Sequence, residues 1–314
     1  MRNRNCSRKK VTILSSKKSN KEIVAAIIEL RNESIYKLKE ILSVAKIAKS
    51  VYHYWKLRLS IPVQKDDNLI KKIKEIIAIH KNRIGYRTVT DELRDLGFVV
   101  NHKKVLRIMR ENNLLCIKFK HRNRTYKSYK GKVGKTAKNK MNRRFVTDRP
   151  YQKLLTDVTQ FSINNGNKLY LSTIFDVCTK EIISYSVSKR PTLEFVMDSL
   201  MKAIEVIPDL PYRTTIHSDQ GWQYQHNTWV QTLKKNRLIQ SMSRKGNCLD
   251  NSPMENFFGI LKQEMFYGES FDSYDELVEE INDYMEYYNF VRKKRKLKSK
   301  TPVEYRNLAL MKVA

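Results

Sequence analysis

The chain contains, at residues 154–161, the sequence Leu154-Leu155-Thr156-Asp157-Val158-Thr159-Gln160-Phe161. Apolar and β-branched residues run through this stretch up to an Asn-Gly turn at residues 164–167, a pattern that predicts a buried β-strand. An ionised carboxylate is unfavourable in such a strand because burial removes its hydration. The position of Asp157 therefore requires a chemical reason.

Two further acids stand at the ends of predicted elements. Asp219 follows a predicted strand at residues 214–218, and Glu255 opens a predicted helix; 61 residues separate Asp157 from Asp219, and 35 separate Asp219 from Glu255. Three carboxylates that meet at one site repel one another unless cations neutralise them. Carboxylate oxygens suit Mg²⁺, and Mn²⁺ is an expected substitute. The trio therefore predicts catalytic acids that hold two metal ions for phosphoryl transfer on nucleic acid.

Each acid also has a simpler structural explanation. Glu255 lies three residues after Ser252, the spacing of a capping box. Asp219 could open a turn, and Asp157 could be an acid at a strand edge. Asp176 also ends a predicted strand, and the turn that follows it indicates a structural role or an indirect support of the three acids.

The charge of the chain is concentrated in its first half. Residues 1–150 hold 40 Lys and Arg against 12 Asp and Glu, whereas residues 151–314 hold 22 against 20. Such asymmetry predicts a DNA-binding front half, with a membrane surface as the competing polyanion. There is no run of about 18 apolar residues to span a bilayer, and the first thirty residues lack a signal-peptide pattern. The sequence thus predicts a cytoplasmic protein that associates with the nucleoid through DNA.

Helical periodicity divides the front half into two similar pieces. Helices predicted at residues 20–30, 36–44 and 46–55 form an N-terminal helix-turn-helix unit, residues 1–60. Helices at 68–80, 89–96 and 102–112 form a second unit, residues 61–116. The last helix is predicted to turn Val105, Leu106 and Met109 inward and to present cations to DNA, although a solvated basic face is the alternative. The predicted DNA-binding residues of this helix are Lys103, Lys104, Arg107 and Arg110.

The rest of the chain divides into a basic segment and an α/β domain. Residues 117–148 lack apolar periodicity and are rich in cations, which predicts a flexible or DNA-ordered linker. In residues 149–314, strands predicted at 154–163, 168–176 and 182–188 precede alternating helices and strands and a helical tail. This is the element order of a ribonuclease H-like mixed sheet. The predicted fold class is therefore α/β, with an all-α helix-turn-helix region before the catalytic domain.

Three motifs carry a family resemblance. They are Asp157-Val158-Thr159, residues 217–224 and residues 250–262. They resemble the catalytic motifs of bacterial insertion-sequence transposases of the OrfB type, which have a retroviral-integrase-like core. The resemblance extends to nearly the whole chain, but the His-His-Cys-Cys zinc domain of viral integrases is missing. It implies a DDE recombinase that binds the terminal inverted repeats of its element, cuts DNA strands with water and joins the freed 3′-hydroxyl to target DNA.

Three residues near the acids are further candidates. Lys262 lies two helical turns after Glu255, so it is predicted to contact DNA near the scissile phosphate. His217 is a candidate to orient Asp219 or an attacking water, with a satisfied core histidine as the alternative. Asn251 belongs to the Glu255 motif and is a candidate to support the acids.

Other function classes remain open on the sequence alone. A non-catalytic DNA-binding regulator would need only the basic front half, and a structure-specific or RNA-directed nuclease would need only the acids. A transposase explains both halves. Joining two element ends implies at least a homodimer on DNA.

Overall fold

The computed structural model describes residues 19–33, 37–60, 66–119, 136–164 and 166–311. The chain divides into two compact units, residues 1–71 and 72–314. Across the described ranges, the helices lack the combination of length and hydrophobicity that a bilayer span requires.

The first compact unit contains α1 (Asn20–Glu33), α2 (Leu38–Ala45) and α3 (Lys49–Ser60). Its apolar core takes side chains from all three helices, among them Val24, Leu42 and Tyr52. The sequence placed the start of the third helix too early, at residue 46. Lys46 instead has a left-handed backbone with φ +53°, which ends α2 and forms the turn before α3.

The second helical trio consists of α4 (Asp67–Ile79), α5 (Tyr86–Asp95) and α6 (His102–Glu111). Gly97, with φ +86°, allows the chain to leave α5 in a conformation that a larger residue disfavours. The Asn101 side chain then accepts a hydrogen bond from the Lys103 backbone N–H at 2.9 Å and caps α6. The predicted cap is confirmed.

Five strands form one mixed sheet. They are β1 (Lys153–Ser162), β2 (Lys168–Asp176), β3 (Ile182–Ser188), β4 (Thr215–Ser218) and β5 (Ile239–Met242). Their spatial order is β3-β2-β1-β4-β5. Strand β2 is antiparallel to both of its neighbours, β1 and β3. Strand β4 is parallel to β1, and β5 is parallel to β4. This topology agrees with the ribonuclease H-like class that the element order predicts.

Helices cover both faces of the sheet. On one face, α7 (Leu193–Val206), the short α8 (Trp222–Gln225) and α9 (Asn227–Lys235) contribute to a core with Leu154 and Ile216. On the other face, α10 (Ser252–Leu261) and α11 (Tyr274–Glu286) pack against Leu155 and Leu171. The alternation of Leu154 and Leu155 between the two cores is the period-two pattern of a strand buried on both sides.

Shorter helical segments complete the second compact unit. The 3-10 turn Cys248–Asn251 precedes α10, and π-helical turns extend α10 at Lys262–Phe266 and α11 at Tyr287–Val291. A 3-10 turn, Arg295–Leu297, then leads to α12 (Pro302–Leu310). The Thr301 side chain and Glu304 form a capping box at the start of α12.

The prediction of a flexible linker is wrong for residues 136–148. Met141 is buried in the core beneath α10. The backbone N–H groups of Lys140 and Met141 donate to the Ser241 hydroxyl oxygen at 2.9 and 3.3 Å. The segment forms no regular helix or strand of its own, so it has no apolar periodicity. Hydrogen bonds to distant side chains hold it in place instead. The rest of the predicted linker, residues 120–135, lies outside the described residues.

Candidate active site

Strand register places Asp157 beside Asp219. The parallel pairing of β1 with β4 matches Leu155 with His217, and each acid lies two residues beyond that pair. Side chains two residues apart on a strand point to the same face, and neighbouring strands lie about 4.8 Å apart. β4 ends at Ser218, so Asp219 stands at its exposed carboxyl end.

Glu255 reaches the same region from a helix. Helix α10 packs on the sheet face that carries Leu155, through Met254, Phe257 and neighbouring apolar residues. Glu255 lies in the first turn of α10 and is exposed. Because α10 begins at Ser252 and the Asn251 side chain forms no capping hydrogen bond, the capping-box explanation of Glu255 is not realised.

The three carboxylates influence one another electrostatically. The pKa of Asp157 is raised well above its usual value, first by burial and then by the negative charges of Asp219 and Glu255. Burial also raises the pKa values of Asp219 and Glu255. Negative charge is therefore unfavourable at all three positions, and a bound cation would relieve it.

The donor chemistry of these acids fits Mg²⁺. Among the described residues, no group of three His, Cys, Asp or Glu side chains gathers closely enough to hold a metal ion as it stands. Mg²⁺ does not require such a cage, because it keeps several waters and binds through one or two carboxylates together with substrate phosphates. Asp157 and Asp219 would supply the carboxylates.

Gly221 is a residue of the site that the sequence reasoning did not assign. Its backbone N–H donates to Asp219 Oδ1 at 2.8 Å. A Cβ atom at position 221 would lie 3.0 Å from that same oxygen, a tight contact that would require the carboxylate to shift by a few tenths of an ångström. Glycine therefore lets the chain approach the Asp219 carboxylate and fix its orientation. The only sequence signal was its place two residues after the acid.

His217 is occupied by partners other than Asp219. Its Nδ1 atom lies 2.8 Å from the Ser241 hydroxyl, and its Nε2 atom lies 3.1 Å from the Ser243 hydroxyl. Burial lowers its pKa to about 4, so the ring is neutral at physiological pH. The contacts correct the prediction that His217 orients Asp219 and favour the alternative, a satisfied core histidine.

Unlike His217, Asn251 has a side chain without hydrogen-bond partners in the described part of the chain. Both of its amide atoms are buried at the start of α10. An unsatisfied buried amide costs about 1–3 kcal/mol, so it calls for a partner such as water or substrate. Its support of the acids stays a prediction.

Lys262 lies beside Asp157. Its ammonium donates to the Gln160 carbonyl oxygen at 2.7 Å and sits 5.1 Å from the centroid of the Phe161 ring. Its positive charge lowers the pKa of Asp157. The nearby Glu264 carboxylate accepts hydrogen bonds from the Arg292 guanidinium.

Known protein families match both halves of the chain. Residues 147–248 and 255–310 match the Integrase core domain, and residues 64–123 match the HTH-like domain. The putative transposase InsK for insertion sequence element IS150 of Escherichia coli is 44% identical over 283 residues, 90% of this chain and 97% of that protein. The chain belongs to the insertion-sequence transposases.

Other relatives have the same character. An uncharacterized transposase-like protein of Haemophilus influenzae is 43% identical to this transposase. The match covers 67% of the transposase and 95% of the relative. A solved structure, the HTLV-2 integrase catalytic core domain in complex with magnesium, covers 50% of the transposase and 97% of that domain, with 17% identity and a TM-score of 0.40.

The helix predicted to read DNA exposes its cations. In α6 of the transposase, Val105, Ile108 and Met109 are buried and Leu106 is partly buried. All four predicted DNA-binding residues are exposed: Lys103, Lys104, Arg107 and Arg110. Arg107 forms an exposed ion pair with Glu111 at 3.0 Å, a weak contact that DNA can replace.

A second residue that the sequence reasoning did not assign is Asp250, which anchors the Glu255 helix. Its carboxylate accepts hydrogen bonds from Arg143 Nε at 2.9 Å, from Arg244 Nε and Nη2 at 2.8 Å each, and from Asn139 Nδ2 at 3.0 Å. The Arg244 guanidinium is the first cause that holds the pKa of Asp250 well below its usual range. Asp250 thus ties the segment 136–148 and the loop after β5 to the start of α10. The only sequence signal for Asp250 was its place in the motif at residues 250–262.

Asp176 has the structural role expected from the sequence. Its buried carboxylate accepts hydrogen bonds from Tyr151 N at 3.2 Å, Cys178 N at 3.0 Å and Thr179 Oγ1 at 2.9 Å. We expect Asp176→Asn to lower the free energy of unfolding by about 1–3 kcal/mol, because the new amide donor faces these donors. Urea unfolding measures this change. Cleavage per folded molecule should stay near normal, and a large loss of cleavage at unchanged stability would instead place Asp176 in the reaction.

Proposed function

We propose that this transposase binds the terminal inverted repeats of its element and catalyses strand cleavage and strand transfer, with Asp157, Asp219 and Glu255 as the catalytic acids of a DDE site. The observation that carries the proposal is the effect of Asp219 and Glu255 on Asp157, whose pKa is raised first by burial and then by the charges of these two acids. Acids with purely structural roles are seldom placed where the charged form of a carboxylate is so unfavourable.

Metal ions held by these acids would activate the attacking oxygen and stabilise the leaving oxygen at phosphorus. The pairing of β1 with β4 supports a joint role for Asp157 and Asp219, since each lies two residues beyond the pair Leu155 and His217. Helix α10 packs on the sheet face of Leu155, and the charge of its Glu255 acts on Asp157, which supports a role for Glu255 beside them. Water attacks the scissile phosphate, breaks its bond to the 3′-oxygen and releases a 3′-hydroxyl. That hydroxyl then attacks a phosphate of target DNA and displaces the 3′-oxygen of the target strand, so one P–O bond forms as another breaks.

The parts of the chain have different proposed tasks. The helix-turn-helix units, residues 1–60 and 61–116, bind the element ends, and residues 149–314 perform the chemistry. Because two ends must be joined to one target, we propose that at least two copies act together on DNA. A gel assay with labelled end duplex tests the activity: cleavage and joining should occur with Mg²⁺ and stop with a chelator. Cleavage that continues after metal removal would contradict the proposal.

Substitutions in α6 test the site of end recognition. We expect Arg107→Ala and Lys103→Ala in the full chain to weaken binding to end DNA by about tenfold, because base-edge contacts provide specificity. Fluorescence anisotropy with end and random duplexes measures the effect, and Lys235→Ala, which removes an exposed lysine of α9, is a matched control. Equal losses on both duplexes would assign these residues to phosphate contacts alone.

Charge reversal at Lys262 tests its place near the scissile phosphate. We expect Lys262→Glu to reduce strand joining at least about tenfold, because it sets an anion against phosphate and beside Asp157. A strand-transfer assay with pre-cleaved ends isolates this step, and a melting curve checks folding. Lys168→Glu, which reverses the charge of an exposed lysine on β2, is the control. Joining at the control rate would remove Lys262 from the site.

A further inference from the structure

A polar cleft lies between the second helix-turn-helix region and the C-terminal part of the catalytic core. It has a volume of about 240 Å³. Its lining residues are Arg87, Thr90, Asp91 and Arg94 of α5, His102 of α6, and Arg295. Arg295 belongs to the residues that match the Integrase core domain, whereas the other five belong to the HTH-like match. Two functional parts of the chain therefore share this cleft.

Three arginines in the cleft face one aspartate. Asp91 Oδ2 forms an ion pair with Arg295 Nε at 3.2 Å and accepts a hydrogen bond from the Ser299 hydroxyl at 3.0 Å. The contacts of the other two arginines are with neutral acceptors: Arg87 Nε donates to the Tyr86 hydroxyl, and Arg94 donates to the Val100 carbonyl oxygen. Neutral acceptors hold a guanidinium in place without cancelling its charge. The cleft is therefore net positive.

Two further acids of α5 reduce this charge without cancelling it. Glu92 Oε2 and Asp95 Oδ2 both accept from Lys293 Nζ, at 3.0 and 2.5 Å. That single lysine offsets one of their two negative charges and secures α5 to the catalytic core, so the three arginines of the cleft still outweigh the acids. The excess positive charge of the cleft thus persists next to a firmly held helix.

The chemistry of the cleft suits an oxygen-rich anion. A guanidinium offers five N–H donors in a planar fork that matches phosphate oxygens, and the contacts named for these arginines use one or two donors each. His102, the first residue of α6, also lines the cleft. The exposed cations Lys103 and Arg107 follow it on the same helix. This continuity with the proposed DNA-reading helix favours a DNA phosphate over a free anion.

We propose that the cleft binds one backbone phosphate of the element-end DNA, with Arg295 of the catalytic core contributing directly to end binding beside Arg87. The inference rests on the proposed function, because it assumes that α6 faces the element end. A phosphate bound there contacts both the helix-turn-helix region and the catalytic core. End recognition and placement of the DNA on the core are then parts of one binding event.

The first experiment compares cations inside and outside the cleft. The full-length transposase, Arg295→Ala, Arg87→Ala and the control Lys296→Ala are titrated against end duplex by fluorescence anisotropy at several salt concentrations. Lys296 lies next to Arg295 in the same 3-10 turn but does not line the cleft. We expect each cleft variant to lose about tenfold in affinity and its salt slope to fall by about one, with much smaller changes for Lys296→Ala. Equal behaviour of Arg295→Ala and Lys296→Ala would overturn the proposal.

A second variant separates phosphate binding from a purely structural role of Arg295. If Arg295 only ties the core to α5 through Asp91, then Asp91→Asn should weaken end binding as Arg295→Ala does. If the cleft binds phosphate, Asp91→Asn should bind end DNA at least as tightly as the unaltered protein, because it removes the negative charge from the cleft. Arg87→Ala, an exposed change on α5 that leaves the Asp91 pair intact, keeps the test valid if Arg295→Ala folds poorly.

The same titrations separate this inference from the proposed function. Failure of the unaltered protein to prefer end duplex over random duplex would contradict end binding itself. Normal preference in the unaltered protein, together with unchanged binding by Arg295→Ala and Arg87→Ala, would contradict only the phosphate cleft.

Discussion

Asp157→Asn, Asp219→Asn and Glu255→Gln should each reduce strand cleavage at least about 1,000-fold while affinity for end DNA stays within about twofold. Each change removes a negative oxygen that a metal ion would bind, and none of these residues belongs to the helix-turn-helix regions. Burial and repulsion already make the charge of Asp157 unfavourable, so the neutral amide should not destabilise the fold.

Single-turnover cleavage of a labelled end duplex, with anisotropy on the same duplex, measures both quantities. Asp209→Asn, which removes an exposed acid from the loop before β4, is the matched control and should cleave normally. Substantial cleavage by any one of the three variants would remove that residue from the catalytic set.

Asp250→Asn should have the second largest effect, through the position of the Glu255 helix. The Asp250 carboxylate is fully buried, while the paired guanidiniums of Arg143 and Arg244 are 44% and 56% exposed. Loss of a buried pair costs about 3–5 kcal/mol; because water can rehydrate the arginines, we expect a loss of roughly 2 kcal/mol in the free energy of unfolding. Cleavage should fall by more than the loss of folded protein explains, since the start of α10 is no longer held.

The pH dependence of stability provides an independent readout for Asp250. A carboxyl group whose folded pKa is depressed contributes stability above its unfolded pKa, about 3.9, and loses that contribution as the pH falls through the folded value. The difference in unfolding free energy between the unaltered protein and Asp250→Asn should therefore be constant from about pH 5 to 8 and shrink below about pH 4. A difference that does not change between pH 7 and pH 3 would contradict the ion-pair role.

The sequence predicted most of the elements that carry the site. Strand β2, Lys168–Asp176, and strand β3, Ile182–Ser188, have the predicted bounds, because apolar runs and a hairpin turn mark them locally. The helix predicted around Glu255 is also observed, as α10. These features depend on residues close together in the chain, where periodicity is informative.

The features that the sequence did not predict depend on contacts between distant residues. The register that aligns Asp157 with Asp219 is set by a parallel pairing across a long crossover, which local pattern does not determine. The burial of Met141 and the ion pairs of Asp250 with Arg143 likewise join positions about a hundred residues apart. The serine partners of His217 could not be read from its neighbours, so proximity in sequence to Asp219 misled the interpretation.

A structure of the full chain bound to uncleavable element-end DNA and Mg²⁺ tests the proposed site most directly. We predict that Asp157 and Asp219 bind a metal ion that also contacts the scissile phosphate, with Glu255 beside the same phosphate. A metal ion bound by other residues, or a scissile phosphate that lies away from these three acids, would contradict the assignment.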